Sequence, residues 1–432
     1  VYYLTVLKGS IPVSTQVLPG NTFKLSQNID NIYPVIDLDN IVNDPIIADS
    51  QADPITIGVV NTTTGLDSNN TTTDTSFSIT KESLSYFFDE YLNNEISLKN
   101  ITFNETYDEI LWDDVDIIMI CVQTPSLDNK EVDTSFIKNV FKEIENKSNK
   151  DSVICIKSTI HPKALKSIIN STKISEDNLV FNPEFLREGT AFNDFFNPDR
   201  IVVGSNHEHN AKRVYQLYSE LDAEVIFTDP ISSQLIKYLS NAYLPLRLSF
   251  VNEASQIIKE LGGDLTKTLQ GIAMDKRIGF EYFRPSPGWG GSCFPKDVAE
   301  VVSISKSNKL NVPLISSILE SNNQHKNWFA NYLEKLKVEK NYKNIVLIGL
   351  AFKENTDDLR HSPTIDLYKK FNNENIYVYD EYFENFESVK FISDFPDESL
   401  IVEMYPLNKN FQEELNFKIG KLKNYEYIRF WE

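Results

Sequence analysis

The chain has only three cysteines in 432 residues, Cys121, Cys155 and Cys293, far apart in sequence. That excludes a disulfide framework and a metal site built on paired cysteines, and it points to a reducing compartment such as the cytoplasm. No apolar run approaches the roughly 18 to 20 residues that a membrane span needs, so no membrane partner is expected. The first residues also lack the basic-then-apolar pattern of a signal peptide; the chain opens at Val1 and not at Met, which fits a processed or incomplete start. Cations are outnumbered, 42 Lys and Arg against 62 Asp and Glu, and the net charge of −20 argues against nonspecific nucleic-acid or acidic-membrane binding. An anionic substrate would need a locally basic pocket. Glycine is scarce too, and among its 15 residues no Gly-x-Gly-x-x-Gly spacing occurs, the turn that brings a dinucleotide pyrophosphate onto a helix N-terminus.

What is present is ordinary for a globular protein: 41% apolar and 24% charged residues, with length enough for two or three cores. Residues 1–86 stand apart. They are acidic, rich in Asn, Thr, Asp and Ser, and carry a low-complexity run from Asn61 to Thr73 that suits a loop or strand-rich surface and not a helix. The acceptor-type triplets at Asn61, Asn69, Asn70, Asn100 and Asn104 are read as chance in an Asn-rich chain.

From Ser83 the pattern alternates helix and strand. Val115–Val122, Ser152–Lys157, Leu179–Phe181 and Ile201–Val203 are short apolar runs of the kind found in parallel strands covered on both faces, with Thr134–Asn146 as a crossover helix. A long apolar helix is expected from Ser232 to Leu261, stopped by Gly262-Gly263. Asn344–Gly349, Ile376–Asp380 and Ser399–Val402 read as strands of a second α/β unit.

The most informative stretch is Gly288-Trp289-Gly290-Gly291-Ser292-Cys293-Phe294-Pro295-Lys296-Asp297. It sets a thiol at the mouth of a glycine-rich turn and the start of a helix, with Pro295 suited to the first turn. Helix N-terminus and Lys296 favour thiolate over thiol. Asp297 follows one turn later, placed to handle water or a proton. Taken alone, a buried cysteine beside an ordinary turn would be the commoner explanation.

Three further motifs accompany it: Asn182-Pro183-Glu184-Phe185-Leu186-Arg187-Glu188-Gly189, Lys237-x-x-x-Asn241, and Gly349-Leu350-Ala351-Phe352-Lys353-x-Asn355-Thr356-Asp357-Asp358-x-Arg360. Together they resemble the UDP-glucose 6-dehydrogenase family, its short bacterial type, from about residue 87 onward. The resemblance implies an α/β protein of two Rossmann-like doubly wound domains joined by a central helical dimerisation domain. The expected boundaries are an atypical acidic segment at 1–86, an NAD-binding domain at 87–205, a helical domain carrying the catalytic cysteine at 206–325, and a UDP-sugar domain at 326–432. The implied reaction oxidises a primary alcohol to a carboxylate through a thiohemiacetal and a thioester on Cys293, with NAD as cofactor. Lys237 and Asn241 would stabilise the oxyanion, with Asp297, Thr159 and Glu184 completing the catalytic set. Thr124, Thr159, Glu188, Lys296 and Arg360 match cofactor contacts. Glu184, Lys237, Asn241, Arg277, Tyr282, Gly290 and Lys353 match substrate contacts, Arg277 from the neighbouring subunit of a homodimer or larger assembly. No metal is implied.

The front departs from the family, since its glycine loop is missing. Pro34–Asp39 and Ile55–Val60 are the two candidates for the missing strands, though in the wrong order. Three readings stay open: an active UDP-glucose 6-dehydrogenase, a descendant turned structural or binding component, and a dehydrogenase of an amino-sugar nucleotide. The retained thiol, amine, amide and carboxylate favour the first.

Overall fold

The computed structural model describes residues 110, 112–125, 127, 132–371 and 375–431, together with three short strands, β1 (Leu4–Leu7), β2 (Thr64–Leu66) and β3 (Thr72–Asp74). Both candidates for the front strands, Pro34–Asp39 and Ile55–Val60, lie outside the described residues. The chain divides into two compact units, residues 1–237 and 238–432.

The first unit is built on a six-stranded sheet. Its strands are β1, β4 (Ile117–Ile120), β5 (Val153–Ile156), β6 (Leu179–Phe181), β7 (Arg200–Gly204) and β8 (Glu224–Thr228), in that spatial order. Strands β4, β5 and β6 are parallel, as are β7 and β8; β6 meets β7 through one antiparallel bridge, Phe181 to Gly204. Helices α1 (Ser135–Ile144), α2 (Pro162–Ile169), α3 (Ala191–Phe196) and α4 (Glu208–Tyr215) connect them. Helix α1 forms because Ile137, Val140, Phe141 and Ile144 recur at helical spacing and bury one face. The sheet has a core on each side. One gathers Ile118, Ile120, Ile154, Ile156 and Phe181 with α1 and α2, the other Met119, Cys155, Val180, Val203 and Val214. Each such side chain contributes roughly 1.5–3 kcal/mol by leaving water. This is the doubly wound arrangement read from the apolar runs. Two features were not legible there: β8, an exposed edge strand, and β1, which runs antiparallel to β4 with Leu4 opposite Ile120 and takes the edge position on that side.

In the second unit β10 (Ile376–Tyr379), β9 (Asn344–Ile348), β11 (Ser399–Glu403) and β12 (Tyr425–Arg429) form an all-parallel sheet in that order. Its faces are covered by two apolar clusters, one around Phe329, Leu347, Leu400 and Phe430, the other around Val346, Ile401, Phe411 and Leu415.

The division at residue 237 falls within one helix, α5 (Pro230–Glu260). The Asp229 carboxylate accepts from the amides of Ile231 and Ser232 and caps its start, worth about 1 kcal/mol. Gly262, at φ +71°, ends it, and the Gly263 amide returns to the Ile258 carbonyl as the Gly-Gly pair predicts. The helix continues through Pro245. Further helices are α6 (Leu265–Ala273), α7 (Cys293–Ser307), α8 (Pro313–Glu339), α9 (Pro363–Lys370) and α10 (Lys409–Ile419).

Candidate active site

In the first unit the carboxyl ends of the parallel strands, where ligands of such sheets bind, carry most of the expected cofactor residues. After β4 come Gln123 and Thr124, after β5 come Lys157, Ser158 and Thr159, and after β6 the run from Asn182 to Gly189. Ser158 ties two of these ends together, its hydroxyl donating to the Val122 carbonyl at 2.6 Å. The Gln123 Nε2 is buried and has no hydrogen-bond partner among the described residues. An unmet donor at this place fits a polar ligand such as a dinucleotide, so the strand ends suit the cofactor.

Lys237, on α5, is buried, and its ammonium donates to Glu184 Oε1 at 2.8 Å. The other oxygen of Glu184 accepts from the Leu186 amide at 2.7 Å. Burial by itself would raise the Glu184 carboxyl; the Lys237 charge and these hydrogen bonds outweigh it and hold it below its ordinary value. Phe185 lies under the Arg200 guanidinium at 3.9 Å and within 5.5 Å of the Lys237 ammonium. Arg187 is paired with Asp194 through bonds of 2.5 and 3.0 Å, and Glu188 beside it is partly exposed.

In the second unit Cys293 is the first residue of α7, as Pro295 two residues later predicts, and it is exposed, its Sγ 3.6 Å from the Ser292 hydroxyl. Asp297 is almost wholly buried. Its Oδ2 accepts from Asn241 Nδ2 at 2.7 Å and its Oδ1 from the Lys296 ammonium at 2.8 Å. Three expected residues are thereby joined in one network. Lys237 and Asn241 sit one turn apart on α5, so the helix gives them a common face.

The glycines before the thiol are required by crowding. A Cβ on Gly290 would lie 2.1 Å from the His361 carbonyl oxygen, and Gly291, at φ +84°, donates its amide to Arg360 at 2.9 Å while lying against Phe352. The turn is thus stitched to the Phe352–His361 segment, which carries Lys353 and Arg360. Arg360 itself rests on Asp358 through Nε at 2.9 Å. Tyr282 takes a left-handed φ of +52°, its ring 6.3 Å from that of Phe294. Arg277 stands in solvent, braced by Asp275, Nη2 to Oδ2 at 2.6 Å.

Sequence reasoning missed the residues that hold this turn. Asn322 of α8 accepts from the Trp289 amide and donates to its carbonyl, Asn252 accepts from the Ser286 amide, and the Trp289 indole donates to Ser249. His325 accepts from Gln256 at Nδ1 and donates from Nε2 to the Ser286 carbonyl at 2.7 Å. Its only sequence signal was position, three residues after Asn322.

Burial pushes the His325 imidazole down to about 4, against the upward pull of its bond to Ser286. Because the folded protein holds it below its unfolded value, its contribution to stability is full above about pH 6.5 and is lost as pH falls toward 4. The loss is on the order of 3 kcal/mol. Denaturant unfolding at pH 7.5 and pH 4.5 should therefore show a larger drop for the parent chain than for His325→Gln. Equal drops would contradict the assignment.

With this geometry in place, comparison with known proteins is informative. Models of the UDP-glucose/GDP-mannose dehydrogenase family match three successive stretches: the NAD binding domain over residues 60–222, the central domain over 231–324 and the UDP binding domain over 346–410. The first match begins well ahead of residue 87. The chain is similar to UDP-glucose 6-dehydrogenase of Rickettsia bellii, 36% identical over 296 residues, or 67% of this chain and 68% of that protein. The match thus spans about two thirds of the length of such relatives. Among solved structures it is similar to a UDP-glucose dehydrogenase from the archaeon Pyrobaculum islandicum. The TM-score is 0.65 at 27% identity, covering 78% of this chain and 85% of that one. A UDP-D-ManNAc dehydrogenase from Pyrococcus horikoshii gives the same TM-score at 22% identity over 79% and 83%, a likeness of fold.

Proposed function

Since the chain belongs to the UDP-glucose/GDP-mannose dehydrogenase family, we propose that it is an NAD-dependent UDP-glucose 6-dehydrogenase, converting UDP-glucose to UDP-glucuronate. The observation that carries this reading is an exposed thiol at a helix start, with a buried carboxylate one turn on that is already bonded to an amide and an ammonium.

NAD supplies the hydride acceptor for each of the two oxidations. The chain's own part is as follows. The Cys293 thiolate adds to the C6 aldehyde, its electron pair forming the C–S bond while the carbonyl oxygen takes the charge. Lys237 and Asn241 donate to that oxygen. After the second oxidation the sulfur holds the acyl group as a thioester. Water, deprotonated with the help of Asp297 and Thr159, attacks the acyl carbon; the C–S bond breaks and the thiolate is restored. The sum is one alcohol, one water and two NAD consumed, and one carboxylate, two NADH and three protons released. Thr124, Glu188, Lys296 and Arg360 would contact the cofactor, and Glu184, Tyr282, Gly290 and Lys353 the sugar nucleotide. A reducing compartment such as the cytoplasm suits a reaction that runs through a thiolate.

The test is stoichiometry. Two NADH per UDP-glucose with no free aldehyde is the expected result; one NADH with aldehyde release would sink the mechanism. Failure to bind NAD, by fluorescence titration, would favour the descendant that has lost catalysis, and turnover of UDP-N-acetylglucosamine in place of UDP-glucose would favour the amino-sugar reading.

A homodimer through α5 belongs to the same proposal. Ile231, Leu235, Leu239, Tyr243, Phe250 and Ile257 are exposed at spacings of four and seven, a stripe along one helix face that a second copy would cover isologously. Light scattering should give twice the chain mass. Leu239→Glu should halve it, and mixed Arg277→Ala and Cys293→Ala chains should regain activity if Arg277 serves the neighbouring subunit. A fully active monomer would refute this assembly.

A further inference from the structure

The first unit holds a buried cation to which the mechanism gives no task. Lys157 is 8% exposed, and its ammonium donates to Asn182 Oδ1 at 3.1 Å, to the Asn182 carbonyl at 3.4 Å and to the Tyr218 hydroxyl at 3.3 Å. Tyr218 in turn donates to Asn182 Oδ1 at 2.6 Å. Asn182 is fastened on its other sides as well: its amide donates to the Ile156 carbonyl at 3.0 Å and its Nδ2 to the Val202 carbonyl at 2.9 Å. It is thus tied across β5, β6 and β7. Only Pro183, with its fixed φ, separates it from Glu184.

We infer that Lys157, acting through Asn182 with Tyr218, is a positioning residue that seats the Glu184 carboxylate on Lys237 and the Leu186 amide. An apolar side chain would fill the space under Asn182 at less cost than a buried ammonium, which is expensive to desolvate. The groups facing Lys157 are Tyr218, Cys121 and Cys155. Burial opposes its charge, but those neighbours more than offset this and its pKa lies above the ordinary value, while burial pushes the Cys155 thiol up to about 12 and raises the Tyr218 hydroxyl. The lysine therefore stays charged. Its field also reaches the Glu184 carboxyl, adding to the lowering by Lys237.

The activity arm of the test rests on the proposed function; the amide arm does not. In Lys157→Met, hydrogen exchange at the Leu186 amide should quicken about tenfold, and the acid-side loss of kcat/KM should move up by about half a pH unit or more. Lys157→Arg, which keeps the charge, should leave that pH limb in place. A folded Lys157→Met chain with a protected Leu186 amide and an unmoved pH profile would overturn the inference. Should that variant fail to fold, Tyr218→Phe decides: faster Leu186 exchange supports the assignment, and unchanged exchange refutes it.

Discussion

Cys293→Ser is expected to abolish complete oxidation, lowering kcat for NADH production at least about a thousandfold, the scale on which loss of a nucleophile is felt. The sulfur sits exposed at the first position of α7, where the unmet amides of a helix start favour an anion. A hydroxyl in the same place gains little, because its proton is far harder to remove, and an ester formed there would hydrolyse more slowly than a thioester. Mass spectrometry of the variant after incubation with UDP-glucose and NAD should show either no adduct or a slow-clearing acyl group on residue 293. Cys155→Ser is the control. That thiol is wholly buried in β5 and held protonated, so its loss should cost about 1–3 kcal/mol of stability through a buried hydroxyl while leaving kcat intact. Equal inactivation of both variants would mean that Cys293 has no special chemistry.

The contrast between these cysteines was legible in the sequence, and the reasons are local. Cys155 lies in an unbroken apolar run, whereas Cys293 lies between two glycines and a proline, so periodicity and turn chemistry separate them. The same local signals gave β4, β5, β9, α1 and both ends of α5. They fail where tertiary context decides. Strand β8 holds only the three-residue apolar run Val225–Phe227, and β12 breaks its apolar positions with Glu426 and Arg429; both are sheet edges left largely open to solvent, so neither carries the longer apolar run of a covered strand. Asn322 and His325 read as a polar helix face, yet both are buried because the backbone of the thiol turn, folded against them, has polar groups to satisfy. Lys157 reads as the polar end of a strand for the same reason. At the front, the edge beside β4 is filled by an antiparallel β1 drawn from the first residues, a pairing no local pattern specifies.

Asp297→Asn should separate the two halves of the reaction from the opposite side. Both carboxylate oxygens accept, Oδ2 from Asn241 and Oδ1 from Lys296, in a site almost closed to water. An asparagine supplies one acceptor and one NH2 group, so whichever way it turns, a donor faces either the Asn241 amide or the Lys296 ammonium. The mismatch should cost about 1–3 kcal/mol of stability. It also removes the anion bonded to Asn241, leaving that amide free to turn away from the developing oxyanion. Formation of the thioester depends on Cys293 and should survive in part; its hydrolysis, which needs a base, should fall by about 100- to 10,000-fold. The expected result is therefore a single rapid release of NADH followed by near arrest, with an acyl group trapped on Cys293 and identified on its proteolytic peptide. Asp297→Glu, which restores the charge at a longer reach, should recover part of the steady rate. Steady turnover by Asp297→Asn with unmodified Cys293 would show that the buried carboxylate serves packing of α7 and takes no part in deacylation.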